Sequence, residues 1–147
     1  MEVTAAIDIE RPAGEVFAYL ADMENNPKWQ NGQERCTWTS EPPLRLGSTY
    51  DQEAKFLGKK ILSSFEVVEF ETDEKIRIRT TGGTMPIDVT RMVTPKTDAS
   101  CRVAAIVRGD PPMPMRLLGP LMRLMVGQSV KKDYRALKQL LESGTGS

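Results

Sequence analysis

The chain contains no histidine and only two cysteines, Cys36 and Cys101, which stand 65 residues apart. Without imidazole there is no Ser-His-Asp or Cys-His catalysis, no histidine-ligated metal and no use of the commonest general base near neutral pH. The cysteines lack CxxC spacing, so they read as buried apolar side chains rather than a disulfide or a nucleophile. No run of 18 apolar residues occurs, so no transmembrane segment is expected. There is no Gly-rich phosphate loop and no cluster with metal-ligand spacing, and no cofactor is expected. Net charge is missing too, because 20 basic residues balance 20 acidic ones. A general nucleic-acid binder needs a basic excess to offset phosphate repulsion, so nucleic acid is not an expected partner. The opening MEVTAAIDIERP is acidic and alternating, unlike a signal peptide. The expectation is a soluble, cytoplasmic protein.

What is present suffices for one domain. The 147 residues are 39% apolar by the AVILMFWYC count and 27% charged, with eleven glycines, the balance of an ordinary globular chain. Residues 1–143 are assigned to a single domain and 144–147 to a disordered tail. The charge is unevenly spread. From Pro111 to Ser147, Arg116, Arg123, Lys131, Lys132, Arg135 and Lys138 face only Asp133 and Glu142. That excess reads as the solvated face of a terminal helix, with an anionic membrane or an acidic partner as the alternative.

Val3, Ala5, Ile7 and Ile9 alternate with Glu2, Thr4, Asp8 and Glu10, the pattern of a half-buried strand. Pro12 pre-sets a helical turn, and Val16, Phe17 and Leu20 recur at helical spacing. Asp22 is placed to cap a second short helix that Pro27 breaks, and Asn31-Gly32 turns the chain back. Strands are then expected near 33–40, 48–57, 60–71, 74–81, 84–94 and 100–109. The turn chemistry of Pro42-Pro43, Gly47, Gly58, Asp73, Gly82-Gly83 and Lys96–Ala99 separates them, which predicts an antiparallel meander. A helix from about Met115 to Glu142 follows. Its second half carries the stripe Val130, Tyr134, Leu137 and Leu141. Its first half, broken by Gly119-Pro120, is apolar around most of its circumference. The order β-α-α-β6-α describes an α+β fold in which a curved seven-stranded sheet wraps one long helix. One helix cannot fill such a sheet, so an internal cavity is expected.

The phrase Arg11-Pro12-Ala13-Gly14-Glu15-Val16-Phe17-Ala18-Tyr19-Leu20-Ala21-Asp22-Met23-Glu24-Asn25 is followed by Pro27-Lys28-Trp29, Gly47-Ser48-Thr49-Tyr50, Phe65-Glu66-Val67 and Asp133-Tyr134-Arg135-Ala136-Leu137-Lys138. Over about residues 2–142 this resembles the polyketide cyclase/dehydrase-like branch of the START/Bet v 1-like (SRPBCC, helix-grip) superfamily. The resemblance implies a helix-grip fold holding a hydrophobic small molecule: lipid, sterol, quinone, polyketide or aromatic hormone. Relatives include enzymes, carriers, sensors and partners of other proteins, and the fold does not choose among these.

The residues themselves nominate a cavity lining of Trp38, Tyr50, Gln52, Phe56, Phe65, Met85, Ile87, Val89, Arg91, Met122, Met125 and Ser129. Arg91 shares the parity of Ile87, Val89 and Val93. An unshifted strand therefore points it inward, where a guanidinium needs an acid, carbonyls or an anionic ligand group. A local bulge or a structural ion pair is the blander reading. Gln52 lies between Tyr50 and Ala54 and can reach a ligand carbonyl or hydroxyl, while Tyr50 and Trp38 combine apolar surface with one polar hydrogen. Met85, Met115, Met122 and Met125 offer a pliable wall. Ser129 and Asp133 follow Met122 and Met125 at turn spacing, Asp133 reading rather as a solvent-facing partner of lysines. Trp29 is assigned to structure. No catalytic residue is nominated, and Asp51 and Asp88 have outward parity. The expected function is binding of a hydrophobic small molecule, as carrier or sensor. A cyclase or dehydratase that polarises a carbonyl with Arg91 and Tyr50 is the alternative, and a protein- or membrane-interaction module is the second. The edge strands and the apolar half-helix leave room for a homodimer.

Overall fold

Strands with one apolar face, joined by short turns, can bury that face only by curling together over a cover. The structure, a computed structural model, describes residues 1–56, 58–83, 85–109 and 119–144, with the Phe56 side chain outside the description. The elements run β1 (Glu2–Ile9), α1 (Ala13–Ala21), a 3₁₀ turn (Met23–Asn25), α2 (Asn26–Trp29), β2 (Gln33–Trp38) and β3 (Thr49–Phe56). They continue with β4 (Lys59–Glu71), β5 (Lys75–Gly83), β6 (Ile87–Thr97), β7 (Ser100–Gly109) and α3 (Gly119–Glu142). The strands form one antiparallel sheet in the order β1-β7-β6-β5-β4-β3-β2, which leaves β1 and β2 at the edges. This is the α+β, β-α-α-β6-α helix-grip architecture expected from the sequence.

Three local details differ from expectation. Pro27 does not end a helix but sits in the first turn of α2, where its missing N–H costs nothing. Asp22 caps the 3₁₀ turn before it, accepting the Glu24 N–H at 3.2 Å. Gly82-Gly83 is not the hairpin turn but the paired end of β5. Gly83 has φ +125°, and a Cβ there would lie 2.2 Å from the Leu62 carbonyl oxygen, so close approach to β4 demands glycine. The following strand begins at Ile87 rather than 84, after Pro86, which has no N–H for a ladder. It runs past Pro95 to Thr97, with a register shift between those two residues. Residue 84 lies outside the described residues.

The stripe on α3 packs as its spacing requires: Tyr134, Leu137 and Leu141 are buried and Val130 joins them from the core's margin. Polar pins hold the helix in place. Lys138 Nζ donates to the Asp8 carbonyl at 2.7 Å and Glu142 accepts the Glu10 N–H at 2.8 Å, both at the end of β1. Further along, Asp133 Oδ1 accepts the Asn31 N–H at 2.9 Å from the turn between α2 and β2. Pro120 lies in the first turn of α3 as described, and Met115, Leu117 and Leu118 lie outside the described residues. Gly144 takes φ +78° after the helix, and residues 145–147, most of the expected tail, also lie outside them.

Leu137 is fully buried under the sheet, whereas Leu121 is 53% exposed. Urea unfolding is expected to show Leu137→Ala losing about 2–5 kcal/mol of stability. Leu121→Ala should stay within about 0.5 kcal/mol of the parent.

Candidate functional site

Between the concave face of the sheet and α3 lies a pocket of about 160 Å³. Its floor is apolar, built by the inward parities of β4 to β7: Phe65, Ile78, Ile87, Val89 and Val107. Val130, Asp133 and Tyr134 roof it from α3. Trp29, Gln30, Gln33 and Gln52 close the side formed by α2, β2 and β3.

Arg91 is the one cation in this lining. The ladder of β6 runs unshifted from Ile87 to Pro95, so strand parity turns Arg91 inward, opposite the small Ala105 of β7. It is only 6% exposed. Nε donates to the Tyr134 hydroxyl at 3.1 Å, and the guanidinium carbon stands 5.2 Å from the centre of the Trp29 ring. Trp29 in turn meets Tyr134 edge-on, with centroids 5.0 Å apart. Among the described residues no carboxylate forms an ion pair with Arg91, and its Nη1 has no hydrogen-bond partner. The aromatic face and the phenol oxygen offer partial compensation only.

Asp133 is the acid of the pocket. Rather than facing solvent among lysines, it is half-buried. Burial pushes its carboxyl up to about 6, against the opposing pull of the Asn31 N–H, Lys132 and Arg91. Burial likewise holds the Tyr50 phenol well above its ordinary range and lifts the Cys36 thiol to about 11, so both stay protonated at neutral pH.

Of the side chains nominated from sequence, Gln52, Phe65, Ile87, Val89 and Arg91 come together on this pocket. Tyr50 is fully buried beside them, stacked on Phe65 at 5.2 Å, with its hydroxyl unpartnered among the described residues. Trp38 is half-buried opposite Tyr50 in the β2–β3 ladder, and Met85 is half-buried in the β5–β6 connection. On α3, Met122 is buried, Ser129 half-buried and Met125 36% exposed. Asp51 and Asp88 point outward, Asp51 accepting from Ser64 and Asp88 pairing with Arg77 at 2.8 Å. Trp29, Gln30, Gln33, Ile78, Val107, Val130 and Tyr134 were not nominated, and Asp133 was weighed but read as facing solvent. For Asp133 a signal existed: it lies three residues after Val130 and four before Leu137, on the margin of the buried stripe. Among the described residues no group of histidine, cysteine or acidic side chains is arranged to hold a metal, and no helix is long and apolar enough to cross a membrane.

A curled seven-stranded antiparallel sheet gripping one long helix is the helix-grip fold. The chain belongs to the family described as "Polyketide cyclase / dehydrase and lipid transport", whose profile matches residues 1–142. No curated protein matches it by sequence. Among solved structures it is similar to TTHA0849 from Thermus thermophilus, with TM-score 0.84, 19% identity and 99% of each chain covered. It is also similar to a START superfamily protein from Mycobacterium smegmatis, with TM-score 0.80, 15% identity and 97% of each chain covered. A third likeness is to the Zhui aromatase/cyclase from a Streptomyces species, with TM-score 0.70 and 11% identity, covering 99% of this chain and 93% of that one.

Two measurements probe the site's electrostatics. Arg91→Met removes a buried cation that has no ion-pair partner among the described residues, so thermal or urea unfolding should show a variant more stable by about 1–3 kcal/mol. Asp133 has a folded-state pKa raised from 3.8 to about 6. Its contribution to stability is therefore full below about pH 4 and lost as pH rises through 6. Asp133→Asn should match the parent's unfolding midpoint near pH 4 and exceed it at pH 7.

Proposed function

We propose that the chain binds a small apolar molecule bearing one carbonyl or anionic oxygen, which it carries or senses. The oxygen is received by Arg91, and the carrying observation is that Nη1 of this 6%-exposed guanidinium has no partner among the described residues, in a pocket with an apolar floor. A buried donor of this kind costs stability until an acceptor reaches it. Size constrains the ligand. A dry cavity of about 150 Å³ accepts a benzene ring, so the 160 Å³ here suits one ring or a short chain rather than a whole fused polycycle. Membership of a family described by cyclase, dehydrase and lipid-transport activities supports a ligand of this class.

One observation favours a catalytic reading as the second. Asp133, with its carboxyl raised to about 6, shares the pocket with Arg91. A carboxylate that takes a proton from the carbon beside a carbonyl, while a cation holds the resulting oxyanion, is the minimum for cyclisation or dehydration chemistry. Tyr50, the other nominated carbonyl polariser, is packed against Phe65 outside that lining.

Native mass spectrometry of freshly purified protein, followed by denaturing extraction, is expected to reveal a stoichiometric apolar adduct that Arg91→Met lacks. A clean apo mass, together with no saturable binding across fluorescent-lipid and aromatic-ligand screens, would overturn the proposal.

A further inference from the structure

A second hollow of about 370 Å³ opens on the outer side of the turn between α2 and β2, bounded by Lys28, Asn31, Gly32, Lys132 and Ala136. Trp29, Gln30, Gln33 and Asp133 line it as well, and the same four residues line the inner pocket. One thin wall of side chains thus divides the two spaces. Two hydrogen bonds fasten it across its width: Gln33 Nε2 donating to Gln30 Oε1, and the Asn31 N–H donating to Asp133. Gln30, Gln33 and Asp133 are half-buried side chains, and a rotamer change in them is the motion the proposal requires to join the spaces. The inner pocket alone falls short of the roughly 300–1,000 Å³ usual for small-molecule sites, whereas the two together lie within it.

The acceptors along this path are already engaged: Asp133 holds the Asn31 N–H, Gln30 Oε1 takes the Gln33 amide and Gln33 Oε1 takes the Cys36 thiol. Arg91 Nη1, Trp29 Nε1 and Gln30 Nε2 are all buried donors without partners among the described residues. Beyond them Lys28 and Lys132 line the outer cleft, Lys28 Nζ also donating to Asn25 Oδ1 at 3.0 Å. Unmatched donors leading to two cations call for a ligand supplying acceptor oxygens along its length and a negative charge at its far end.

Resting on the reading that Arg91 receives a ligand oxygen, we infer that the inner pocket and the outer cleft are two halves of one site for an elongated keto acid. Its carbonyl-bearing ring sits under Arg91, and its carboxylate tail passes the Gln30–Gln33 wall to reach Lys28 and Lys132.

Three probes separate the parts: acetophenone (ring and carbonyl only), hexanophenone (the same ring with an uncharged tail) and 6-oxo-6-phenylhexanoate (the tail ending in a carboxylate). Binding is followed by the fluorescence of Trp29 in a Trp38→Phe background, with calorimetry as the second readout. The keto acid is expected to bind about tenfold more tightly than hexanophenone. That advantage should disappear in the Lys28→Gln/Lys132→Gln double variant. Ala136→Phe fills the outer cleft and should weaken both tailed ligands while leaving acetophenone unchanged. A keto acid no tighter than hexanophenone, or tailed ligands indifferent to Ala136→Phe, would overturn the two-part site while acetophenone binding sensitive to Arg91→Met preserved the underlying reading. No binding of any probe to the parent protein would overturn that reading itself.

Discussion

A seven-stranded sheet curled around one helix encloses more volume than the helix can fill, and the rest of the molecule depends on where that surplus is left. It falls beside Val130, Asp133 and Tyr134, between the pins that hold α3 at the end of β1 and the point where Gly127 packs on Val3 of β1. At its C-terminal end the helix is pinned by Lys138 and Glu142, and Leu137 and Leu141 seal the core beneath. One to two turns earlier the buried stripe passes to Tyr134 and the half-buried Val130, and the pocket begins there. Beside the pocket the helix is also tied to the α2–β2 turn, through Asp133.

Into that gap the fold places a charge that it does not neutralise. Removing a guanidinium from water costs several kcal/mol even after relaxation. A cation–π contact returns about 0.5–2 kcal/mol, and the bond to the Tyr134 hydroxyl adds about 1.5–3 kcal/mol as a hydrogen bond to a charged group. Trp29 and Tyr134 together return energy of the same order, and they leave Nη1 unmatched. Both are also rigid aromatics locked edge to face, so they fix the direction in which the unpartnered Nη1 is presented. A buried cation held in one orientation by two aromatic side chains is an arrangement able to meet an incoming acceptor oxygen.

The sheet was legible because its information is local. Period-two alternation fixes which face each residue occupies, and β6 carries no register shift before Pro95, so the inward direction of Arg91 follows from the parity of Ile87, Val89 and Val93. Gln52, Phe65, Ile87 and Val89 reach the pocket by the same rule. The helix was legible only in its stripe. Around Met122 and Met125 the sequence is apolar on most sides, so it does not specify that Met122 turns inward while Met125 is 36% exposed. Least legible was the meeting of Trp29 with Asp133, although the place of Asp133 on the margin of the buried stripe was itself a signal. Their roles arise where a one-turn helix docks on a helix far along the chain, and composition near either residue carries no record of the other. Gly83 misled for a related reason: a glycine needed for close approach to β4 looks, in sequence, like a turn.

Asp133 joins the structural and chemical sides of the site. With its carboxyl raised to about 6 it is mostly ionised at neutral pH, and the charge is held by the Asn31 N–H and by the fields of Lys132 and Arg91. A ligand that brings its own negative oxygen to Arg91 withdraws part of that support, and an apolar ligand body deepens the desolvation. Both changes push the Asp133 carboxyl further up. Ligand binding and proton uptake by Asp133 are then linked, and uptake weakens the carboxylate's hold on the α2–β2 turn by removing the charge from that hydrogen bond. The same linkage serves a carrier, by loosening the wall beside the occupied pocket, and an enzyme, by placing a proton next to a polarised carbonyl. What distinguishes the two is the atom that faces Asp133 when the pocket is full: an inert hydrocarbon in a carrier, and in an enzyme the carbon whose proton is to move.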